Sequence, residues 1–218
     1  MIKNNFINQY LRQTQDIYGD KLYLKINKET NVANSTENSL DDFYYSINSC
    51  QKCQLGNSRK NFVFGVGDKN ADLLLVGEAP GEKEDLEGIP FVGRAGKLLD
   101  KILSAISLSR DKGVYICNVL KCRPPDNRDP LLSEIEQCEP YLKEQINLIK
   151  PKLIVALGRV AAKTLLKNDL ALKDMRSIKY DYYGTPLIAT YHPAALLRNQ
   201  NLKPAAWEDF KWIRNLIN

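Results

Sequence analysis

The sequence predicts a three-layer α/β/α fold around a central four-stranded, mostly parallel sheet. Two observations carry this reading. Four short apolar runs, Asp72–Gly77, Val114–Val119, Leu153–Gly158 and Leu187–Tyr191, lack polar alternation, as strands buried on both faces require. Between them lie longer segments whose apolar residues recur at helical spacing.

The elements follow in order. Ile2, Phe6, Tyr10, Leu11 and Ile17 fall near helical spacing, with Gly19 as a stop. A short alternation, Leu22–Ile26, comes next, then an Asn-, Ser-, Thr- and Glu-rich loop over 27–39. Residues 1–38 therefore read as an N-terminal extension of unassigned role, and 39–218 as the main domain. Ser39 with Asp42 marks a helix start, and Leu40, Phe43, Tyr44 and Ile47 give that helix one apolar side. Ala95, Leu98, Leu99, Ile102, Leu103 and Ile106 form a second stripe, and Leu131, Ile135, Cys138, Leu142 and Ile149 a third. Val160–Leu166 is a further helix; Trp207, Phe210, Ile213 and Ile217 lie on the last.

Composition narrows the functional classes. The chain has 218 residues, 44% of them hydrophobic, enough to bury a full core without disulfides. A net charge of +5 permits a polyanionic partner without requiring one. No apolar run is long enough to span a membrane, and Met1–Asp20 has no signal-peptide core. A cytoplasmic protein, working with no membrane partner, is the expectation. In such a reducing compartment five cysteines favour metal, cluster or core roles over disulfides.

In parallel α/β sheets, ligands bind beyond the carboxyl ends of the strands. After the first run comes Gly77-Glu78-Ala79-Pro80-Gly81-Glu82, then Gly88 through Gly96. Such a loop lets backbone approach a ligand, but no Gly-Lys-Ser/Thr follows, so it is not a P-loop. Asn118 ends the second run; its carboxamide both donates and accepts, as reading a base edge demands. His192, the only histidine, follows the fourth run. Each residue alone is more often structural. Their convergence on one edge of the sheet, from three strands, gives them weight.

Cys50 and Cys53 form a CxxC pair, and Cys122 and Cys138 follow far apart. Four thiolates suit zinc or a [4Fe–4S] cluster, and spacing alone leaves both open. Cys138 also lies on an apolar helical stripe and fits the core. Cys117, within a strand, is assigned to the core.

Together these motifs resemble the iron–sulfur-containing family-4 uracil-DNA glycosylases. The matching pieces are CQKC at Cys50–Cys53, GEAPGEKED at Gly77–Asp85, GIPFVGRAGKLL at Gly88–Leu99, NVLKCRPPDNRDP at Asn118–Pro130, Cys138, and HPAALLRN at His192–Asn199. The resemblance runs from about Leu40 to the C-terminus and implies a uracil-DNA glycosylase-like fold. It implies that Cys50, Cys53, Cys122 and Cys138 hold a structural [4Fe–4S] cluster. It places the uracil pocket on Gly77, Glu78, Ala79, Phe91, Asn118 and His192, with Phe91 stacking on the base and Asn118 reading its polar edge. His192, as a neutral donor, would stabilise the departing uracil. Ala79 stands where relatives in other glycosylase families carry a water-activating aspartate, which leaves Glu78 and Asn127 as candidates for that role.

Lys121, Arg123, Arg128 and Arg198 are expected at DNA phosphates, and Leu196 or Leu197 in the gap left by the flipped base. Two departures stand out: Ala194 and Ala195 replace the serine and the aromatic or other larger residue that often follow His-Pro in the family, and residues 1–38 lie outside the resemblance. The expected partner is uracil-containing single- or double-stranded DNA, bound by a monomer. The rivals are a glycosylase of the same fold with another deaminated-base preference, such as hypoxanthine, and a non-catalytic DNA-binding module.

Overall fold

The computed structural model describes residues 39–217. The helix expected over Ile2–Ile17, the Leu22–Ile26 alternation and the loop up to residue 38 lie outside the described residues.

Helix α1 (Leu40–Ile47) starts as its sequence dictates. Ser39 Oγ accepts from the Asp42 amide at 3.1 Å, and Asp42 Oδ2 accepts from the Ser39 amide at 3.1 Å, a reciprocal cap that satisfies two end groups. A one-turn helix α2 (Leu55–Ser58) follows the CxxC pair. The order is then β1 (Val66–Gly67), β2 (Leu73–Gly77), α3 (Glu82–Glu87), α4 (Arg94–Ala105), β3 (Val114–Asn118), α5 (Leu132–Ile149) and β4 (Leu153–Leu157). It continues with α6 (Arg159–Leu166), α7 (Leu172–Met175), β5 (Tyr180–Tyr182), β6 (Thr185–Thr190), α8 (Pro193–Arg198) and α9 (Lys203–Ile217).

The four expected strands, β2, β3, β4 and β6, form the parallel centre of the sheet. Two short strands extend it to six, in the order β1-β3-β2-β4-β6-β5, each pairing antiparallel with its neighbour. The chain passes from β2 to β3 on one side, then crosses to β4 on the other. That reversal opens a crevice between the carboxyl ends of β2 and β4.

Alternate residues of the buried strands feed two cores. Leu74, Val76, Tyr115, Cys117, Ile154 and Ala156 face α1, α5 and α6, with Leu142, Ile146 and Ala161 filling the layer. Leu73, Leu75, Ile116, Val155 and Ile188 face α4 and α9, meeting Leu99, Leu103, Phe210 and Ile213. These two layers of helices on one sheet are the expected architecture. The stripes are narrower than the sequence suggests. Leu131 stands just before α5, exposed, because its amide caps the helix by donating to Glu134 Oε2 at 2.8 Å. Trp207 is partly exposed, since the rotation of α9 buries Phe210 and Ile213 instead.

Candidate active site and cysteine corner

A cleft of about 560 Å³ opens at the carboxyl ends of the strands, well within the size of small-molecule sites. Glu78 and Ala79 line it after β2, Asn118 at the end of β3, Gly158 after β4 and His192 after β6. Phe91, from the loop before α4, completes the wall. Gly77 lies behind this wall, and its bare Cα makes the wall possible. A β-carbon there would lie 2.3 Å from Asn118 Oδ1 and 2.8 Å from Phe91 Cζ. Gly158 has φ +93° and would bring a β-carbon to 2.9 Å from His192 Cβ, so glycine is required on both counts.

Phe91 is buried and adopts a left-handed backbone, φ 56°, a conformation that costs a non-glycine residue energy unless its surroundings enforce it. Here they do. Arg110 donates to Pro90 O at 2.8 Å and to Phe91 O at 2.5 Å, and is itself held by Asp100 at 2.7 Å. Glu84 Oε1 accepts from the Val92 and Gly93 amides at 3.0 and 3.1 Å. The Phe91 ring stands 5.4 Å from the His192 ring, centroid to centroid, tilted by 30°.

His192 caps α8: its Nδ1 accepts from the Ala194 amide at 3.1 Å. An accepting nitrogen carries no proton, so the neutral ring holds its hydrogen on Nε2. Burial, aided by the nearby Arg198 charge and opposed by Glu84, pushes its pKa down to about 4. Such a pKa leaves the imidazole neutral at physiological pH. Glu78 moves the other way. Burial and the adjacent Asp129 raise its carboxyl to about 7, against the pull of Arg159.

Asn127 and Arg128 also line the cleft. Asn127 Oδ1 accepts from Arg123 Nε at 2.9 Å. The Arg128 guanidinium grips Glu134 with two hydrogen bonds, 2.9 and 2.6 Å, which spends much of its charge within the protein. Arg198 is exposed at the rim.

Two expectations are corrected. Lys121 is fully buried and does not reach a phosphate, because its Nζ donates inward to Asn118 O at 2.7 Å and Gln145 Oε1 at 2.5 Å. Leu196 is also buried, one turn beyond Pro193 on the inner side of α8, whereas Leu197 is exposed.

Cys50, Cys53, Cys122 and Cys138 line a second, smaller cavity beside the first, while Cys117 stays in the core. Hydrogen-bond donors point at the sulfurs. Arg59 Nη1 lies 3.2 Å from Cys122 Sγ, Tyr141 OH 3.2 Å from Cys50 Sγ, and the Lys121 amide 3.3 Å from Cys138 Sγ. Arg59 also ties the CxxC turn through Cys50 O at 2.6 Å and Asn48 O at 2.9 Å. Burial pushes the Cys138 thiol up to about 12 and raises Cys122 as well, while the Lys121 and Arg59 charges respectively oppose this. Among the described residues no group of three or more His, Cys, Asp or Glu side chains is placed to hold a single metal ion; by chemistry alone, four thiols with donors aimed at their sulfurs are of the kind that ligates a larger group as thiolates.

Sequence reasoning missed Arg59, Glu84, Arg110 and Tyr141. Glu84 lies inside a motif already singled out; the other three touch the site only through the fold, and no spacing signal marks them.

Comparison with known proteins bears on this geometry. Residues 64–211 match the family model of the uracil DNA glycosylase superfamily. A type-4 uracil-DNA glycosylase of Archaeoglobus fulgidus is 47% identical over 82% of this chain and 93% of its own. Proteins of the same description from Sulfurisphaera tokodaii and Saccharolobus solfataricus are 48% and 41% identical, over 82% and 83% of this chain and 84% and 87% of theirs. No helix among the described residues is long and apolar enough to cross a membrane.

Proposed function

Because the chain belongs to the uracil-DNA glycosylase superfamily, and within it to the type-4 uracil-DNA glycosylases, we propose that it repairs DNA by excising uracil, hydrolysing the N-glycosidic bond at the cleft beyond β2 and β4. The observation that carries this reading is the meeting of an aromatic ring, a carboxamide and a neutral imidazole, from three separate stretches of chain, around one cavity.

A duplex or single strand presents the target atom only if the nucleotide turns out of the stack. Phe91 offers the extruded pyrimidine a flat apolar face. Asn118 matches the donor and acceptor on its polar edge, and the bare Cα of Gly77 lets the Asn118 and Phe91 side chains close up behind the base. The backbone of Glu78 and Ala79 completes the pocket. As the glycosidic bond breaks, electrons pass to uracil and the sugar becomes cationic. His192, with its proton held on Nε2, donates to the uracil oxygen as negative charge grows there. A fixed donor in such a place lowers the barrier by about 3 kcal/mol.

Glu78 is the group we assign to the water. A carboxyl poised near neutrality is half ionised at the working pH, which suits a general base. Asn127, with its oxygen occupied by Arg123, has its amide hydrogens free to orient the same water. Ala79 offers no base. Arg198 and Arg123 contact phosphates, with Arg128 a weaker third, and Leu197 rather than Leu196 occupies the gap in the stack. Ala194 and Ala195 line the cleft without a hydroxyl, so no phosphate contact is assigned to them.

Cys50, Cys53, Cys122 and Cys138 hold a [4Fe–4S] cluster in this reading. The donors aimed at their sulfurs support it. When bound, the cluster cross-links the CxxC turn, the segment after β3 and α5. Residues 39–218 form the catalytic domain, which works as a monomer on single- or double-stranded DNA in the cytoplasm.

The deciding experiment is an excision assay with iron-replete protein on oligonucleotides carrying one lesion each. Uracil strands should become alkali-labile, with four irons per chain expected for one such cluster. Cleavage confined to hypoxanthine would point to a related specificity, and none at all to a binding module. Stoichiometric zinc without iron would overturn the cluster.

A further inference from the structure

Lys121 combines features that neither DNA contact nor core packing explains. Its side chain is fully buried, and lysine is among the residues least often found there. Among the described residues it has no carboxylate in an ion pair. An ammonium so placed is costly to desolvate, and a hydrocarbon would fill the space more cheaply. What it reaches is specific. Nζ donates to the main-chain carbonyl of Asn118 and to Gln145 Oε1, and Gln145, also buried, donates onward to Phe64 O at 3.0 Å. The Lys121 amide donates to Cys138 Sγ, and Cys122 is the next residue. Between these ends the Val119 and Leu120 amides donate to Gly77 O and Glu78 O at 2.9 and 3.0 Å. One five-residue stretch thus touches the base pocket at its start and two of the four thiols at its end.

We propose that Lys121 is a positioning residue that ties the base-reading Asn118 to the cysteine corner. The inference rests on the glycosylase and cluster reading above. A cluster ligated by four thiolates is anionic, so the loaded corner supplies the counter-charge that the buried ammonium otherwise lacks. In return the ammonium fixes the carbonyl of Asn118, and with it the orientation of the carboxamide that faces the base. Two functions then share one cation, and disturbing it moves both.

The test is Lys121→Met, which keeps the length of the side chain and removes the charge. The full chain, loaded with iron, is read for the midpoint potential of the cluster and for single-turnover uracil release. Loss of the cation should make the added electron less welcome, shifting the midpoint to more negative values. Release should fall about tenfold, the size of effect that a small misplacement of a recognition group produces, and discrimination of uracil against cytosine should narrow. A change in one readout with the other at its wild-type value overturns the tie, as does no change in either. If Lys121→Met does not fold, Lys121→Gln, which keeps a polar donor near the Asn118 carbonyl but removes the charge, takes its place; both readouts should then move the same way, release by less, and two unchanged readouts overturn the proposal. Wild-type protein that releases no uracil would instead overturn the reading on which the inference rests.

Discussion

The cleft and the cysteine corner lie side by side on one molecule, yet they are put together by different means. In the cleft each side chain is held by backbone. Gly77 and Gly158 let strands approach, Phe91 is fixed in a left-handed turn, and His192 is oriented by the amide of its own helix. In the corner the thiols are held by side chains from elsewhere, Arg59 and Tyr141, and by the Lys52 and Lys121 amides. On the proposed reading the contrast teaches that recognition of the base would be built into the fold, whereas the corner would receive a group that completes it. Perturbing the cleft should therefore damage chemistry while leaving the fold intact, and perturbing the corner anywhere but at the shared Lys121 should do the reverse.

The largest expected effect is on the cleft side. His192→Ala should slow single-turnover uracil release by roughly a hundredfold, with DNA affinity, iron content and melting temperature close to wild type. An unaltered rate would remove the imidazole from the reaction and erase the contrast. A smaller effect sharpens the division of labour within the cleft. The Glu78 carboxyl, held up near 7, is protonated below that pH and ionised above it. A base works only when ionised, so the rate should climb through about pH 7 and level off above. His192, held down near 4, is neutral across that range and cannot be the source of the limb. Glu78→Gln should flatten the profile and lower the alkaline plateau; a limb that persists in this variant would assign it to another group. The smallest effect is on the corner. Tyr141→Phe removes a single O–H···S hydrogen bond, worth about 1 kcal/mol of stability, and should leave uracil release unchanged. The cluster midpoint should move to more negative values, since one donor to a sulfur is gone. A large fall in uracil release from this change would show that the two regions are not separable in this way.

Much of this arrangement can be read in the sequence, for a physical reason. Four apolar runs specify a buried parallel sheet, and a parallel sheet places whatever follows each strand at one rim; Asn118 and His192 follow directly. The edge strands β1 and β5 are too short, at two and three residues, to carry a periodic signal. Lys121 was misjudged because a lysine beside Arg123 after a strand has the composition of a phosphate contact. Burial here depends on Gln145 and Phe64, which lie 24 residues on and 57 residues back in the chain. Leu196 and Leu197 differ only in which side of a six-residue helix they occupy, and that rotation is set by Pro193 and the core beneath. Arg110 and Arg59 act on backbone carbonyls of distant loops, contacts that leave no mark in residue spacing.

The left-handed turn at Phe91 has one more consequence. Because Glu84 and Arg110 hold that turn through main-chain groups, the ring's attitude is decided by the polypeptide and not by its visitor. A seat shaped in this way does not relax once the visitor has been severed from its sugar. On the proposed reading the freed base would leave only as fast as its own contacts let go, and uracil already in solution would find the same seat open, which would make the product of the reaction its competitor as well.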